Sequence, residues 1–379
     1  MQPTGLGIVG CGVVSDAYLT GAARSAIVEV VAVADMRPEV ALAKAEKYGV
    51  AARSVEELLA DPAIEIVVNL TVPLAHALVS RRAIEAGKHV YSEKPLGVTY
   101  AEGKALVDAA AAAGLRIGAA PDTFFGAAHQ AVRYAIDEGR IGRVVAAAAC
   151  FATRGMESWH PSPGFFFRQG GGPLLDIGPY PLTQLVNLIG PVERLTAIAS
   201  QGFKTRTVTS QPDAGQVIEV EIATTVNGAL DFASGANVAF TTSWDIWRHT
   251  RLPIEIYGSE GTILNPDPNF FGGTPRLAIE GGDWQDLDTS RHPFGKPTRR
   301  THLGLEVADY RMVGVLDMAR AIATARPHRA SGELALHVLE IMEALQRSSD
   351  EGRHITLETT CERPAAVPLG PDETVLGAG

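Results

Sequence analysis

Three short stretches contain the residues best suited to chemistry. Gly10-Cys11-Gly12-Val13-Val14-Ser15 follows an apolar run and opens a helical pattern. Glycine at 10 permits a tight turn. Glycine at 12 lets the backbone approach a pyrophosphate, and Ser15 is small enough for the helix to pack on the strand. The helix start, with Val13 and Val14 in it, offers free N–H groups to the phosphates. A second match, Gly5-x-Gly7-x-x-Gly10, has the same letters but lies inside the apolar run with no strand before it, so it is set aside. Asp35 closes the next apolar run, 25 residues after Gly10. A carboxylate there accepts hydrogen bonds from ribose and repels a 2′-phosphate, which favours NAD over NADP. Arg37, two residues on, is the feature that would tolerate a phosphate. Glu93-Lys94-Pro95-Leu96 follows a further apolar run, and a lysine at the carboxyl end of a parallel strand faces a bound cofactor rather than bulk water.

These residues need a sheet to hold them. Leu6–Gly10, Val28–Asp35, Ile64–Leu70, His89–Ser92 and Arg116–Ala120 read as strands. Asp16–Ser25, Glu39–Tyr48, Val55–Ala60, Leu74–Ala86 and Tyr100–Ala113 read as the helices between them, three of which stop at Gly49, Gly87 and Gly114. The alternation predicts an α/β domain, a doubly wound parallel sheet of Rossmann type, over residues 1–122. Residues 1–123 contain no Phe and no Trp, whereas the rest of the chain is rich in rings. This asymmetry, and a length of 379 residues against about 150 per domain, predict two domains.

From about Arg143 the pattern changes to strands at Val144–Ala152, Glu193–Ser200, Gln216–Thr225, Ala229–Phe232, Asn237–Trp244, Leu252–Tyr257 and Thr262–Leu264. Several alternate polar with apolar, as in an antiparallel sheet with one wet face. Asn265–Arg300 reads as a long loop excursion, Leu305–Thr324 and Glu333–Gln346 as helices, and 364–379 as a loose tail. Residues 123–363 are thus expected to form an α+β domain, the remaining candidate for substrate binding and oligomerisation.

The combination of the glycine loop, the strand-end Asp35 and Glu93-Lys94-Pro95-Leu96-Gly97 resembles the Gfo/Idh/MocA family of oxidoreductases. Gly170-Gly171-Gly172-Pro173-Leu174-Leu175-Asp176-Ile177-Gly178-Pro179-Tyr180 is similar to the family's GGG-x-L-x-D-x-G-x-H segment, with tyrosine in the histidine position, as in some members. Ile254–Gly261 and Arg326-Pro327-His328 resemble its later signatures. The resemblance implies a large, open, mostly antiparallel second sheet whose outer face makes a homo-oligomer. It also implies that Lys94, Asp176 and Tyr180 meet at the reacting hydroxyl. On that basis Lys94 is a fixed positive charge for the alkoxide, and Asp176 orients lysine or substrate. Tyr180, whose phenol starts near a pKa of about 10, is made a usable base by the neighbouring ammonium. A second scheme has Lys94 relay the proton while Tyr180 only donates a hydrogen bond.

A further set of residues follows from placement. Thr71 and Pro73 lie just after the third strand and are expected to border the nicotinamide ribose, while His76 at the next helix start is expected either to reach the cofactor or to be a surface histidine, with Glu93 beside Lys94. Asp122 follows the fifth strand and is expected to touch substrate. Trp159, His160 and Arg168 flank Phe165-Phe166-Phe167, and His249 ends the Trp244–Trp247 cluster. Rings to cover C–H faces and polar groups to bind hydroxyls are what a sugar requires.

The net charge of −10 argues against a nucleic-acid surface. No apolar run reaches the roughly 18–20 residues of a membrane span. Three scattered cysteines and no signal-peptide pattern fit a reduced, cytoplasmic enzyme. No metal-ligand spacing is present. The expected activity is NAD(H)-dependent hydride transfer at a ring secondary hydroxyl of a sugar, cyclitol or glycoside, with glycoside C3 as one candidate position. The alternatives are an NADPH-dependent reductase of a keto sugar or dicarbonyl, a glycoside-processing enzyme with tightly held NAD, and an NAD-sensing regulator.

Overall fold

The computed structural model describes residues 2–301 and 304–372. Its first sheet has six parallel strands: β1 (Thr4–Val9), β2 (Val28–Ala34), β3 (Ala51–Ala52), β4 (Ile66–Asn69), β5 (His89–Ser92) and β6 (Ile117–Ala119). Their order is β3-β2-β1-β4-β5-β6, every pair parallel. The order reverses between β1 and β4, and the crevice at the carboxyl ends there is where such sheets bind ligands. The strands are Val- and Ile-rich because helices cover both faces: α1 (Ser15–Ala23), α2 (Pro38–Tyr48), α3 (Val55–Ala60), α4 (Pro73–Glu85) and α5 (Tyr100–Ala112). Gly49, Gly87 and Gly114 end their helices at φ of 70°, 75° and 66°, the left-handed stop expected of them. The two-residue edge strand β3 is too short to have left a pattern.

After α6 (Ala127–Asp137) comes the second sheet, of nine strands in the order β16-β15-β14-β13-β7-β12-β11-β8-β19. These are β7 (Val144–Ala152), β8 (Val192–Ser200), β11 (Thr225–Phe232), β12 (Asn237–Ser243), β13 (Ile254–Gly258), β14 (Gly261–Asn265), β15 (Arg276–Ile279), β16 (Gln285–Asp286) and β19 (Ile355–Thr356). Between them in sequence lie a small hairpin, β9 (Thr205–Thr207) with β10 (Val217–Glu219), and a pair, β17 (Arg299–Arg300) with β18 (Glu306–Val307). The large sheet is mixed: β7 runs parallel to β12, and its other pairings are antiparallel. Helices α7 (Gly172–Asp176), α8 (Pro179–Ile189), α9 (Val313–Ala323) and α10 (Gly332–Glu351) complete the chain.

Four expectations need correction. Asn265–Arg300 is not one loop, because β15 and β16 within it pair on to β14 and form one edge of the large sheet. Gln216–Thr225 is not one strand. Pairing with β9 stops at Glu219, and Val220 and Ile222 instead join a small core with Met156, Phe167, Val208, Ile218 and Trp244. Leu305–Thr324 is helical only from Val313, because Glu306–Val307 pairs with β17 and Asp309–Arg311 turns along a cleft. The tail is packed as far as Asp372. Val367 is fully buried and its N–H donates to Gln130 Oε1 at 2.8 Å, while Arg133 donates to Pro364 O at 2.9 Å. Residues 373–379 lie outside the described residues.

The last two helices return to the first sheet. Gly314 on α9 sits against Tyr91 of β5, and Gly118 of β6 bridges to Ser331 at the start of α10. Leu336 and Leu339 of α10 close on Gly103 of α5. Among the described residues no helix is long and apolar enough to cross a membrane.

Candidate active site

The glycine loop leaves β1 at Gly10, whose φ of 101° and contact with the Leu70 carbonyl (2.6 Å from an added Cβ) leave no room for a side chain. Gly12 has no heavy atom within 4 Å of where its Cβ would be. The room beside it is therefore open to a ligand rather than filled by protein. Ser15 is buried and its hydroxyl donates to Gly12 O at 2.6 Å, fixing the start of α1. No side chain caps that helix: the Ser15, Asp16 and Ala17 N–H groups turn back to Gly12 O, Val13 O and Val14 O at 3.1–3.4 Å, and Val13 just before them is exposed. Asp35 Oδ2 accepts from the Cys11 N–H at 2.8 Å and Oδ1 from the Arg37 N–H at 3.0 Å. The carboxylate is thus locked against the loop at the end of β2, and the Arg37 guanidinium, largely exposed, stands 4.0 Å off. Open space at Gly12, an uncapped helix start and a strand-end carboxylate fit a dinucleotide.

A cleft of about 1120 Å³ runs on from Val13 and Val14 past Thr71, Pro73, His76, Glu93 and Lys94 to Asp176 and Tyr180. Asn69, buried at the end of β4, organises the near wall. It accepts from the Thr71 hydroxyl at 2.7 Å and donates to His76 O and Ser80 Oγ. His76 is buried, not a surface residue. Its ring nitrogens lie 2.6 Å from Pro95 O and 3.0 Å from Thr71 O, and burial pushes its pKa down. Glu93 Oε1 accepts from the Tyr18 hydroxyl and Oε2 from the Lys94 N–H, both at 3.0 Å.

Lys94 extends across to the second domain. Its Nζ donates to Asp176 Oδ1 at 2.8 Å and to Asp176 O at 2.7 Å, and lies 5.3 Å from the centre of the Tyr180 ring. Burial by itself would favour the neutral amine. Asp176, then Tyr180 and Glu93, outweigh it and hold the lysine above its ordinary range, firmly as the ammonium. Asp176 ends α7 and Tyr180 lies in the first turn of α8, so one short stretch delivers both. Tyr180 is buried.

Several residues expected at the substrate lie elsewhere. Asp122 is buried behind the wall, where its Oδ2 accepts from the Gly314 N–H at 3.0 Å. Burial pushes its pKa up to about 6. Phe165 and Phe166 do line the cleft, but His160 packs behind them, with ring centres 5.6 and 5.0 Å away. Trp159 rests on His160, half exposed, and Arg168 is exposed outside the cleft. His249 is also exposed, with Nε2 3.1 Å from Ala152 O, and Trp244 is buried in the small core against Phe167. Polarity marked these residues, but the direction of each side chain is set by packing that no local pattern encodes.

Sequence reasoning also missed one wall. Thr298, Arg299, Asp309, Tyr310, Arg311 and Met312 line the cleft, with Arg311 and Met312 packed against Gly21 of α1. The available signal was the polar Asp309-Tyr310-Arg311 triplet just before the apolar run Met312–Leu316. Among the described residues no group of three His, Cys, Asp or Glu side chains is placed to hold a metal ion.

Residues 4–120 match a family described as an oxidoreductase family with an NAD-binding Rossmann fold, and residues 129–264 match the GFO/IDH/MocA C-terminal domain. The 1,5-anhydro-D-fructose reductase of Ensifer adhaerens is 30% identical over 269 residues, 68% of this chain and 74% of the relative. A dTDP-3,4-didehydro-2,6-dideoxy-alpha-D-glucose 3-reductase of Streptomyces violaceoruber is 31% identical over 260 residues, 68% of this chain and 71% of the relative. Levoglucosan dehydrogenase, solved with NADH and levoglucosan, superposes with a TM-score of 0.79 over 94% of this chain and 100% of its own, at 22% identity.

Proposed function

The chain belongs to the Gfo/Idh/MocA family of oxidoreductases and carries its NAD-binding Rossmann domain, and we propose that it oxidises a ring secondary hydroxyl of a sugar, cyclitol or glycoside. The supporting observation is the Lys94–Asp176 pair at 2.8 Å beside the Tyr180 ring, in the same cleft as the glycine loop. NAD, when bound, supplies the two-electron acceptor. Gly10, Gly12, Val13, Val14 and Asp35 would hold its adenosine and pyrophosphate end, with Arg37 at the rim. Thr71, Pro73, His76 and Glu93 would border the nicotinamide end.

In this reading the substrate hydroxyl sits between Lys94 and Tyr180. The ammonium, kept charged by Asp176, stabilises negative charge developing on the oxygen. Tyr180 takes the hydroxyl proton. A lysine held so firmly cationic makes a poor proton relay, which favours the tyrosine as the base. Phe165 and Phe166 offer flat apolar faces to a ring, and glycoside C3 is the position we favour for oxidation. The solvent face of the nine-stranded sheet, where Ile198 is 75% exposed, is the surface through which copies would associate.

The test is a 340 nm assay of sugars, inositols and glycosides with NAD and NADP, run on the wild type, Lys94→Met and Tyr180→Phe. We expect NADH formation with at least one neutral ring polyol. Lys94→Met should nearly abolish it while NADH binding persists, and Tyr180→Phe should lower turnover severely. An NADP preference above about tenfold would overturn the role given to Asp35. Normal turnover by Lys94→Met would overturn the site.

A further inference from the structure

Arg311 reaches the Lys94 end of the cleft from the second domain's return segment. Its Nη1 lies 3.8 Å from Glu93 Oε1 and its Nε 3.6 Å from Asp309 Oδ1. Neither is a hydrogen bond, and among the described residues the guanidinium has no acceptor within bonding distance. This is an unusual way to keep a largely buried arginine. A guanidinium retained only to neutralise carboxylates closes on them as a two-pronged fork at about 2.7–2.9 Å. The Arg133 and Arg329 side chains of this chain do engage acceptors closely, at 2.6 Å to Asp137 and 2.5 Å to Asp317. Arg311 stands off from both of its carboxylates, because Glu93 is already bound to the Tyr18 hydroxyl and the Lys94 N–H, and Asp309 to the Arg299 guanidinium at 2.6 Å. Its charge is secure nonetheless: Tyr180 first, against the cost of burial, then Glu93 and Asp309 hold it cationic.

We propose that Arg311 is a ligand-binding residue of the redox site, whose free N–H donors take an uncharged oxygen of a molecule bound beside Lys94 and Tyr180. Glu93, Asp309 and Asp176 match Arg311, Arg299 and Lys94 charge for charge, with Arg299 2.6 Å from Asp309, so the wall has no surplus positive charge to draw in an acid group. The site therefore selects a neutral hydroxyl or carbonyl oxygen over an acid group. A neutral ring polyol fits, and a sugar acid does not. The oxygen has two possible sources, a substrate hydroxyl next to the reacting carbon or the carboxamide of the nicotinamide. The inference rests on the reading of Lys94 and Tyr180 as the reacting end.

The experiment compares wild type, Arg311→Met, Arg311→Ala, Arg311→Lys and Lys94→Met. NADH binding is followed by fluorescence without sugar, steady-state kinetics use the best neutral polyol and its uronate counterpart, and thermal melts check folding. Losing a hydrogen bond to a charged group should weaken ligand engagement about tenfold or more in Arg311→Met. A rise in polyol KM with NADH affinity unchanged assigns the oxygen to the substrate. A matching loss of NADH affinity in the absence of sugar assigns it to the carboxamide. In Arg311→Ala, which leaves room for it, added guanidinium should restore part of the lost function, which a purely structural defect would not show. If Arg311→Met does not fold, Arg311→Lys carries the test, because a single ammonium cannot reproduce the fork. Wild-type KM and NADH affinity in the folded variants, or a preference for the uronate, would overturn the proposal. Active Lys94→Met would instead overturn the underlying site.

Discussion

Lys94 and Asp122 show how burial and neighbours decide the charge of a single group. Lys94 is largely buried, yet Asp176 at 2.8 Å keeps it charged. Asp176→Asn removes the strongest of its opposing charges, so desolvation should then win and the lysine pKa should fall. The expected result is a kcat–pH profile whose alkaline limb moves to lower pH, measured alongside unchanged NADH affinity. Asp122 shows the opposite balance. Burial, helped by Glu93 and Asp309, raises its pKa from 3.8 to about 6 against the pull of the Gly314 N–H and Arg311. A carboxyl raised on folding contributes stability that is complete below the unfolded value and is lost as pH rises through the folded one. The window is therefore pH 3.8 to about 6. Asp122→Asn keeps an acceptor for Gly314 and removes the buried charge. Denaturant melts at pH 7 should show it stabilised by up to about 3 kcal/mol, with a flatter profile below pH 6. At this scale the sequence made Lys94, Asp176 and Tyr180 legible because they sit in spaced motifs. Arg311 escaped because its stretch reads as helix, and Asp122, Arg168 and His249 misled because their polarity says nothing about which way they point.

At the scale of elements, two overlapping glycine patterns part company. Gly5 lies inside β1, where an added Cβ would fall 1.8 Å from Ala63 O, a backbone atom that cannot step aside. Gly12 meets nothing within 4 Å. Gly5→Ala should therefore cost stability on the order of 1–3 kcal/mol or more, as overpacking does. Gly12→Ala should melt like the wild type and lose NADH affinity, which a thermal melt and a fluorescence titration separate. A local signal of similar clarity is the Ser54–Glu57 capping box of α3, where Ser54→Ala should cost about 1 kcal/mol. The first domain was readable in this way because its strands are apolar runs and its helices stop at glycine. The stretch 216–225 was not, because alternation describes any segment with one wet face, and only the presence of a partner strand distinguishes a sheet from the cover of a small core.

For the molecule as a whole, the last described residues act as a seam. Val367 is buried and Arg329 donates to Ala365 O and Ala366 O, while Asp372 accepts from the Phe294 N–H at 2.7 Å in the cleft wall. Removing residues 364–379 should lower the melting temperature clearly and raise substrate KM, since it takes the Pro364 carbonyl from Arg133, uncovers the core beside Val367 and loosens the wall beside Tyr310. The return of α9 and α10 to the first sheet has a further consequence, for biosynthesis. Met318 and Ala330, contributed some two hundred residues later in the chain, close over Gly118 and its neighbours on β6. The dinucleotide domain should therefore leave the ribosome with one flank of its sheet bare and complete its packing only once the rest has been made. A fragment of residues 1–122 should be sticky and partly molten, binding a hydrophobic dye and engaging chaperones, and adding residues 304–379 in trans should not substitute for translation of the intervening sheet.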